Sequence, residues 1–239
     1  MKKRLQTILA HAGVASRRHA AELIENGKVK VNGHTVVEKG GRFDPGECDI
    51  KVNGRRISKE EKKHYFLFNK PEDVISTVRD THDRKKVIDF FKGIKARLYP
   101  VGRLDKDTTG ALVITNDGAL AHRLSHPSFE IEKEYRVCVA PPVSMSDIGR
   151  LEKGIDIDGK VTSPCEIKFE KKYRFSAVYK VKLHEGRKRQ IRLMFKAVGA
   201  KVTGLDRIKY AGLGLTRLKR GEFRALTQSE VDKLKGMTG

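Results

Sequence analysis

The run Gly102-Arg103-Leu104-Asp105-Lys106-Asp107-Thr108-Thr109-Gly110 carries two carboxylates, two cations and two hydroxyls. An ionised carboxylate in such a loop can act as a nucleophile or a general base, and a neighbouring guanidinium can orient its oxygens. The same residues also suit a plain charged turn in which Asp and Thr bond their own backbone. A third reading is the Asp-x-Asp-x-Thr pattern of a magnesium phosphatase, with Asp105 as nucleophile, Asp107 as acid/base and Thr109 as the third member. That pattern normally ends a buried apolar strand of a doubly wound sheet. Here Gly102-Arg103 interrupts the run before Asp105, and no βαβ rhythm follows it.

The loop lies between Leu98-Tyr99-Pro100-Val101 and Ala111-Leu112-Val113-Ile114. Loops held by rigid apolar strands are where catalytic groups sit. Residues 64–69 read as a strand stopped by Lys70-Pro71, and residues 87–91 as a short helix or strand. Residues 112–115 form an apolar strand ended by Asn116-Asp117-Gly118. Residues 135–139 and 177–183 alternate as half-buried strands, and residues 190–197 have helical spacing. Thr227-Gln228-Ser229-Glu230 is a capping box before a last helix carrying Val231 and Leu234. No Rossmann or P-loop glycine pattern is present. The expected class is α+β, around a mixed, mainly antiparallel sheet.

The chain has 239 residues, with 51 Lys plus Arg against 30 Asp plus Glu, a formal net charge of +21. Its hydrophobic content of 38% is enough for a core, so full disorder is excluded. No apolar run approaches the ~20 residues that span a bilayer. Met1-Lys2-Lys3-Arg4 leads into a stretch broken by His11, unlike a signal peptide. Cys48, Cys138 and Cys165 are widely spaced and odd in number, which points to a reducing compartment, the cytoplasm. The histidines have no ligand spacing with Cys or Asp, so no metal is expected. So basic a surface repels itself unless a polyanion neutralises it, and nucleic acid is the expected partner. No long basic amphipathic helix suggests a membrane.

Charge runs divide the chain near residue 60, into residues 1–60, a linker at 61–63 within the polar run 58–63, and residues 64–239. The first piece opens with two short helices, Leu5, Ile8, Leu9 and Ala12 in one and Ala20, Leu23 and Ile24 in the other, with Ser16 as a cap. Alternation around Asn32-Gly33, and again around Asn53-Gly54, signals two hairpins. Arg17 and Arg18 sit at a helix start that favours phosphate, and Lys28 and Lys30 flank a strand. The alternative is a solvated basic face. Residues 186–224 add 12 basic and 2 acidic side chains, Arg187 and Arg189 among them, which reads as a phosphate track.

Residues 3–50 resemble an S4 RNA-binding domain, through Arg4-Leu5-Gln6, Ala15-Ser16-Arg17-Arg18, residues 20–24 and Gly27-Lys28-Val29-Lys30-Val31-Asn32-Gly33. The loop described first resembles motif II of the pseudouridine synthases. Residues 115–118, 124–127, 132–135 and 184–192 resemble further motifs of the RsuA/RluB group, in the same order.

The resemblance implies an S4-type αα-hairpin/β module followed by a synthase domain, acting on a uridine of ribosomal RNA without a cofactor. Large-subunit (23S) RNA, or a pre-50S particle, is the implied target, and a monomer the default state. Small-subunit (16S) RNA and a non-catalytic assembly factor are the alternatives. Asp105 matches the family's catalytic aspartate, and Arg192 the arginine that pairs with it. Tyr135 matches a tyrosine that can stack on an extruded base and assist proton removal at C5. Arg103 matches an arginine that helps hold open the gap left by the flipped nucleotide or steadies the aspartate, and Ile191 a residue lining the base pocket. Lys70-Pro71, with the loop to Thr77, resembles motif I and is expected to support the Asp105 loop.

Overall fold

The structure is a computed structural model that describes residues 2–57, 61–78 and 80–237. Ser58, Lys59 and Glu60 of the expected linker run lie outside the described residues. The chain forms two compact units, one drawn from Met1–His64, Lys95–Arg97 and Asn116–Gly118, the other from Tyr65–Ile94, Leu98–Thr115 and Ala119–Gly239.

In the first unit, α1 (Leu5–His11) buries Leu5, Ile8 and Leu9 on one stripe. Helix α2 (Arg17–Glu25) starts at Ser16, whose hydroxyl accepts the His19 N–H at 3.1 Å, and buries Ala20 and Ile24. Strands β1 (Val29–Val31) and β2 (His34–Thr35) close around Asn32 and Gly33, both at positive φ. Strands β3 (Ile50–Val52) and β4 (Arg55–Arg56) close likewise around Asn53 and Gly54. The order β2-β1-β3-β4 turns Val29, Val31, Ile50 and Val52 onto the two helices.

The second unit is built on one long sheet. Its strands are β5 (Tyr65–Lys70), β6 (Thr109–Thr115), β7 (Lys133–Ala140), β8 (Glu166–Lys172), β9 (Ala177–Leu183), β10 (Lys201–Tyr210) and β11 (Phe223–Ala225). Their spatial order is β8-β9-β7-β10-β6-β5-β11, with two-residue strands at Tyr99–Pro100 and Leu213–Gly214 alongside. All pairings along this path are antiparallel except β10 with β6. Helices α3 (Gly118–Ser125), α4 (Met145–Lys153), α5 (Gln190–Ala197) and α6 (Gln228–Gly236) complete the unit. Helices α4 and α5 pack on β7 to β10 through Ile148, Leu151, Met194 and Phe195. Helices α3 and α6 pack near Leu67 and Val113 through Leu120, Leu124 and Leu234. Phe66 and Phe68, one residue to either side of Leu67, meet Phe90, Phe91 and Phe223 instead. Strand β5 is thus buried on both faces, which explains its unbroken apolar run.

Residues 87–91, open between helix and strand, form a 3-10 helix. The mixed, mainly antiparallel sheet agrees with the expected α+β class. The parallel contact between β6 and β10 places Gly110 opposite Arg207. Gly110 has φ +110°, and a Cβ there would stand 2.3 Å from the Arg207 carbonyl and 2.5 Å from an Asp206 carboxylate oxygen. Gly110→Ala should therefore cost about 2 kcal/mol or more in urea unfolding, since strain and backbone overlap act together. An unchanged midpoint would show that the two strands part easily.

Candidate active site

The loop from Leu104 to Thr108 is fixed by the chain before it. Lys70 ends β5 with its side chain fully buried. Its ammonium donates to the carbonyls of Thr108 at 2.8 Å, Pro71 at 3.1 Å and Lys106 at 3.3 Å. The Ser76 hydroxyl donates to the Leu104 carbonyl at 2.8 Å and accepts the Leu104 N–H at 3.1 Å. The Asp73 N–H reaches the Lys106 carbonyl, and the Thr108 N–H closes a turn onto the Asp105 carbonyl. Leu104 is buried between these ties, while Asp105 stands exposed at the turn. The expected support of this loop by residues 70–77 is what the bonds describe.

Asp105 opens into a cavity of about 330 Å³. Arg103, Tyr135 and Ile191 line it too, so four residues singled out from the sequence share one space. Tyr135 reaches it from β7, paired with Arg207 on β10 and Val181 on β9. Ile191, buried, faces it from the first turn of α5. The cavity is of the size that takes a small organic ligand.

Two lining cations are not singled out as site residues by the sequence reading, though Arg207 lies within the basic run 186–224 and Lys133 within the 132–135 motif. Arg207 is 3% exposed, donates from Nε to the Ala111 carbonyl at 2.7 Å, and lies over the Tyr210 ring at 4.5 Å. Its Nη2 is buried with no hydrogen-bond partner among the described residues. Lys133 donates to the carbonyls of Ile131 and His184, at 2.7 and 2.6 Å. Arg207 follows a single acidic residue in a strand of ordinary alternation, so nothing in its local pattern marks it. Only the pairing of β10 with both β6 and β7 brings it to the cavity.

Arg192 corrects an expectation. Its guanidinium pairs with Asp107, not Asp105, at 3.0 Å from the carboxylate and 3.1 Å from the Asp107 carbonyl. A third bond reaches the Val202 carbonyl at 3.2 Å. The reason is the turn closed at Thr108, which exposes the Asp105 side chain while Asp107 is only half-exposed and faces α5. Arg192 therefore braces the loop between α5 and β10. Arg189, at positive φ ahead of α5, lines the cavity 3.8 Å from the same Asp107 oxygen. Arg187 lines it as well, yet its guanidinium is held by Glu185 and by the carbonyls of Lys160 and Val161. Glu185 also accepts the Ser163 N–H and the side-chain amide of buried Gln190. In the first unit, Arg17, Arg18, Lys28 and Lys30 are all exposed. No group of three or more His, Cys, Asp or Glu side chains among the described residues is placed to hold a metal ion. No helix among them is long and apolar enough to cross a membrane.

Residues 64–197 match the family model described as RNA pseudouridylate synthase, and residues 3–47 match that of the S4 domain. The chain belongs to the RNA pseudouridylate synthase family. It is an RNA pseudouridine synthase, an isomerase that converts uridine in RNA to pseudouridine, with an S4 domain ahead of the catalytic one. It is 46% identical to a protein of Bacillus subtilis named ribosomal large subunit pseudouridine synthase B, over 98% of this chain and 96% of that protein. It is 35% identical to the dual-specificity RNA pseudouridine synthase RluF of Escherichia coli, over 95% of this chain and 77% of that one. A crystal structure of a pseudouridylate synthase, 31% identical, superposes with a TM-score of 0.68 over 97% of this chain and 99% of the other.

Burial holds Lys70 down at about 8 from its ordinary 10.5, with Asp107 and Asp105 pulling partly back. Burial, then Arg207, hold Lys133 down at about 8 too. The unfolded chain binds more protons than the folded one above about pH 8, so stability rises with pH there. Burial pushes Cys165 up to about 11 and Tyr210 up to about 12, and these oppose the rise once unfolded thiols and phenols ionise. The urea midpoint should therefore climb between about pH 7.5 and 9, and Lys133→Met should reduce that climb. A midpoint falling across that interval contradicts the burial of these two charges.

Proposed function

We propose that this synthase modifies a uridine of large-subunit ribosomal RNA in the cytoplasm, with Asp105 as its catalytic carboxylate. The observation that carries the assignment to Asp105 is its placement: an exposed carboxylate on a pinned loop, at a cavity shared with Tyr135, Arg103, Ile191, Lys133 and Arg207. The large-subunit target rests on the full-length similarity to the Bacillus subtilis protein. The domain division at residues 60–64 accords with an S4 module that grips RNA by Arg17, Arg18, Lys28 and Lys30, and a catalytic domain that takes one extruded nucleotide. Extrusion costs a few kcal/mol, which phosphate contacts from a +21 chain offset.

The chemistry divides among these residues. The N1–C1′ bond breaks and its electron pair leaves with uracil, while Asp105 acts on the ribose as nucleophile or base. The detached base turns to present C5, and the ribose C1′ joins C5 as Asp105 is released from the ribose or returns the proton it took. N1 takes up a proton while the C5 proton departs, so that the product is an isomer of uridine. Tyr135 stacks on the base and relays that proton. Arg103 faces the space left by the extruded nucleotide. Ile191 packs against the base. Arg207 and Lys133 face the negative charge that develops on uracil, where fixed donors in a water-poor site act most strongly. Arg189 meets phosphate at the rim, and Arg187 holds the rim in shape. Arg192 acts through Asp107 on the loop, as a positioning residue.

Tritium release from RNA labelled at uridine C5 tests this reading on large- and small-subunit transcripts separately. Release is expected from the large-subunit transcript with wild type, and none with Asp105→Asn, which should still bind that RNA. Arg207→Gln should lower kcat by about 100-fold or more with little change in KM. Full release by Asp105→Asn would remove the carboxylate from the mechanism, and release from the small-subunit transcript alone would reassign the target.

A further inference from the structure

Residues 168–175, Lys-Phe-Glu-Lys-Lys-Tyr-Arg-Phe, are eight consecutive exposed residues at the outer end of the β8–β9 hairpin. Strand β8 buries Ile167, and each residue after it is exposed. The hairpin closes with the Tyr173 N–H on the Ser176 carbonyl. Phe175 is 72% exposed and Tyr173 50%. A cation lies over each ring, Lys171 at 4.9 Å from Tyr173 and Arg174 at 5.0 Å from Phe175. The one acid among them, Glu170, is tied to Arg136 at 2.8 Å, and Lys168 is paired with Glu166 just before it, so the tip presents Lys171, Lys172 and Arg174 without a free counter-charge of its own.

Edge protection explains only part of this. Strand β8 is an outer strand of the sheet, and lysines on an edge deter pairing with another chain. Phe169 packs edge-on against Tyr179 and belongs to the sheet. Tyr173 and Phe175 do neither, and two exposed rings are the opposite of what edge protection calls for. Rings flanked by cations are what unpaired nucleotides bind, bases on the ring faces and phosphates on the charges. The tip also lies away from the catalytic cavity. Ala177 begins β9 at the tip and Leu183 ends it at the cavity, about 20 Å apart at the rise of a strand.

We propose that the β8–β9 hairpin is a second RNA contact, at which Tyr173 and Phe175 stack on unpaired bases of the substrate away from the target uridine. The inference rests on the synthase reading only in taking RNA as the substrate; it does not depend on Asp105. Each lost stack corresponds to about five-fold or more in affinity.

The test uses the full chain, a dodecameric oligouridylate and a large-subunit transcript. Ultraviolet cross-linking of wild type to either RNA should place adducts on Tyr173 or Phe175. The Tyr173→Ala/Phe175→Ala variant should weaken oligouridylate binding about 25-fold and raise KM for the transcript, with kcat at saturating RNA unchanged. Lys171→Gln/Lys172→Gln should flatten the salt dependence while keeping the adducts. Unchanged affinity and KM, with no adduct on either ring, would overturn the proposal. Unchanged RNA affinity with loss of association with pre-ribosomal particles would overturn it too, in favour of a protein partner. Asp105→Asn serves as the control: adducts on the tip with that inactive variant keep this contact whatever Asp105 does.

Discussion

A lysine buried without a carboxylate of its own is the constraint around which the catalytic domain is arranged. Lys70 is fully enclosed, and its charge is met by three backbone carbonyls and, at longer range, by the carboxylates of Asp107, Asp105, Glu72 and Asp73. Burying an ammonium is costly unless its protons are all accepted. Three carbonyls accept them only if the chain at Lys106 and Thr108 curls back onto the end of β5. That curl is the turn which puts the Asp105 carboxylate outside and Leu104 inside. The charged residue thus shapes the loop without touching the cavity.

The other half of the arrangement comes from two strands running the same way. Strand β6 leaves the loop and lies beside β10 at Gly110, where the absence of a Cβ allows contact with the Arg207 backbone. Thr109 bonds the Asp206 carboxylate at 3.0 Å, and the Arg207 guanidinium reaches back to the Ala111 carbonyl. Strand β10 then pairs on its other side with β7, at the position of Tyr135. The loop before β6 and the strands β7 and β10 therefore deliver carboxylate, phenol and guanidinium to one space. The ion pair of Arg192 with Asp107 closes the loop from the side of α5.

Much of this was legible in the residues. Local signals served where the physics is local: Asn-Gly turns, the Ser16 cap, the Thr227–Glu230 box and the apolar stripe of α5 all stand where the spacing put them. The loop of Asp105 was marked by density of function in few residues, and Tyr135 and Ile191 by their motifs. Arg207 was not legible, because a strand arginine looks like any other until its neighbours are known. The partner of Arg192 is hidden in the sequence for a related reason. Two carboxylates two residues apart are equivalent on paper, and only the turn at Thr108 decides which faces the helix. Strand β8 leaves no signal in the sequence, because its outer half is exposed on both faces and so shows no alternation.

The most direct measurement is the single-turnover rate of Lys70→Met on a large-subunit transcript, alongside RNA affinity and a crystal structure of the variant. The account predicts a rate at least about 100-fold lower, near-normal RNA binding, an intact sheet and a displaced turn at residues 105–108. A variant that turns over at the wild-type rate with the turn in place would contradict it, since the Asp105 carboxylate would then be positioned by something other than this buried charge.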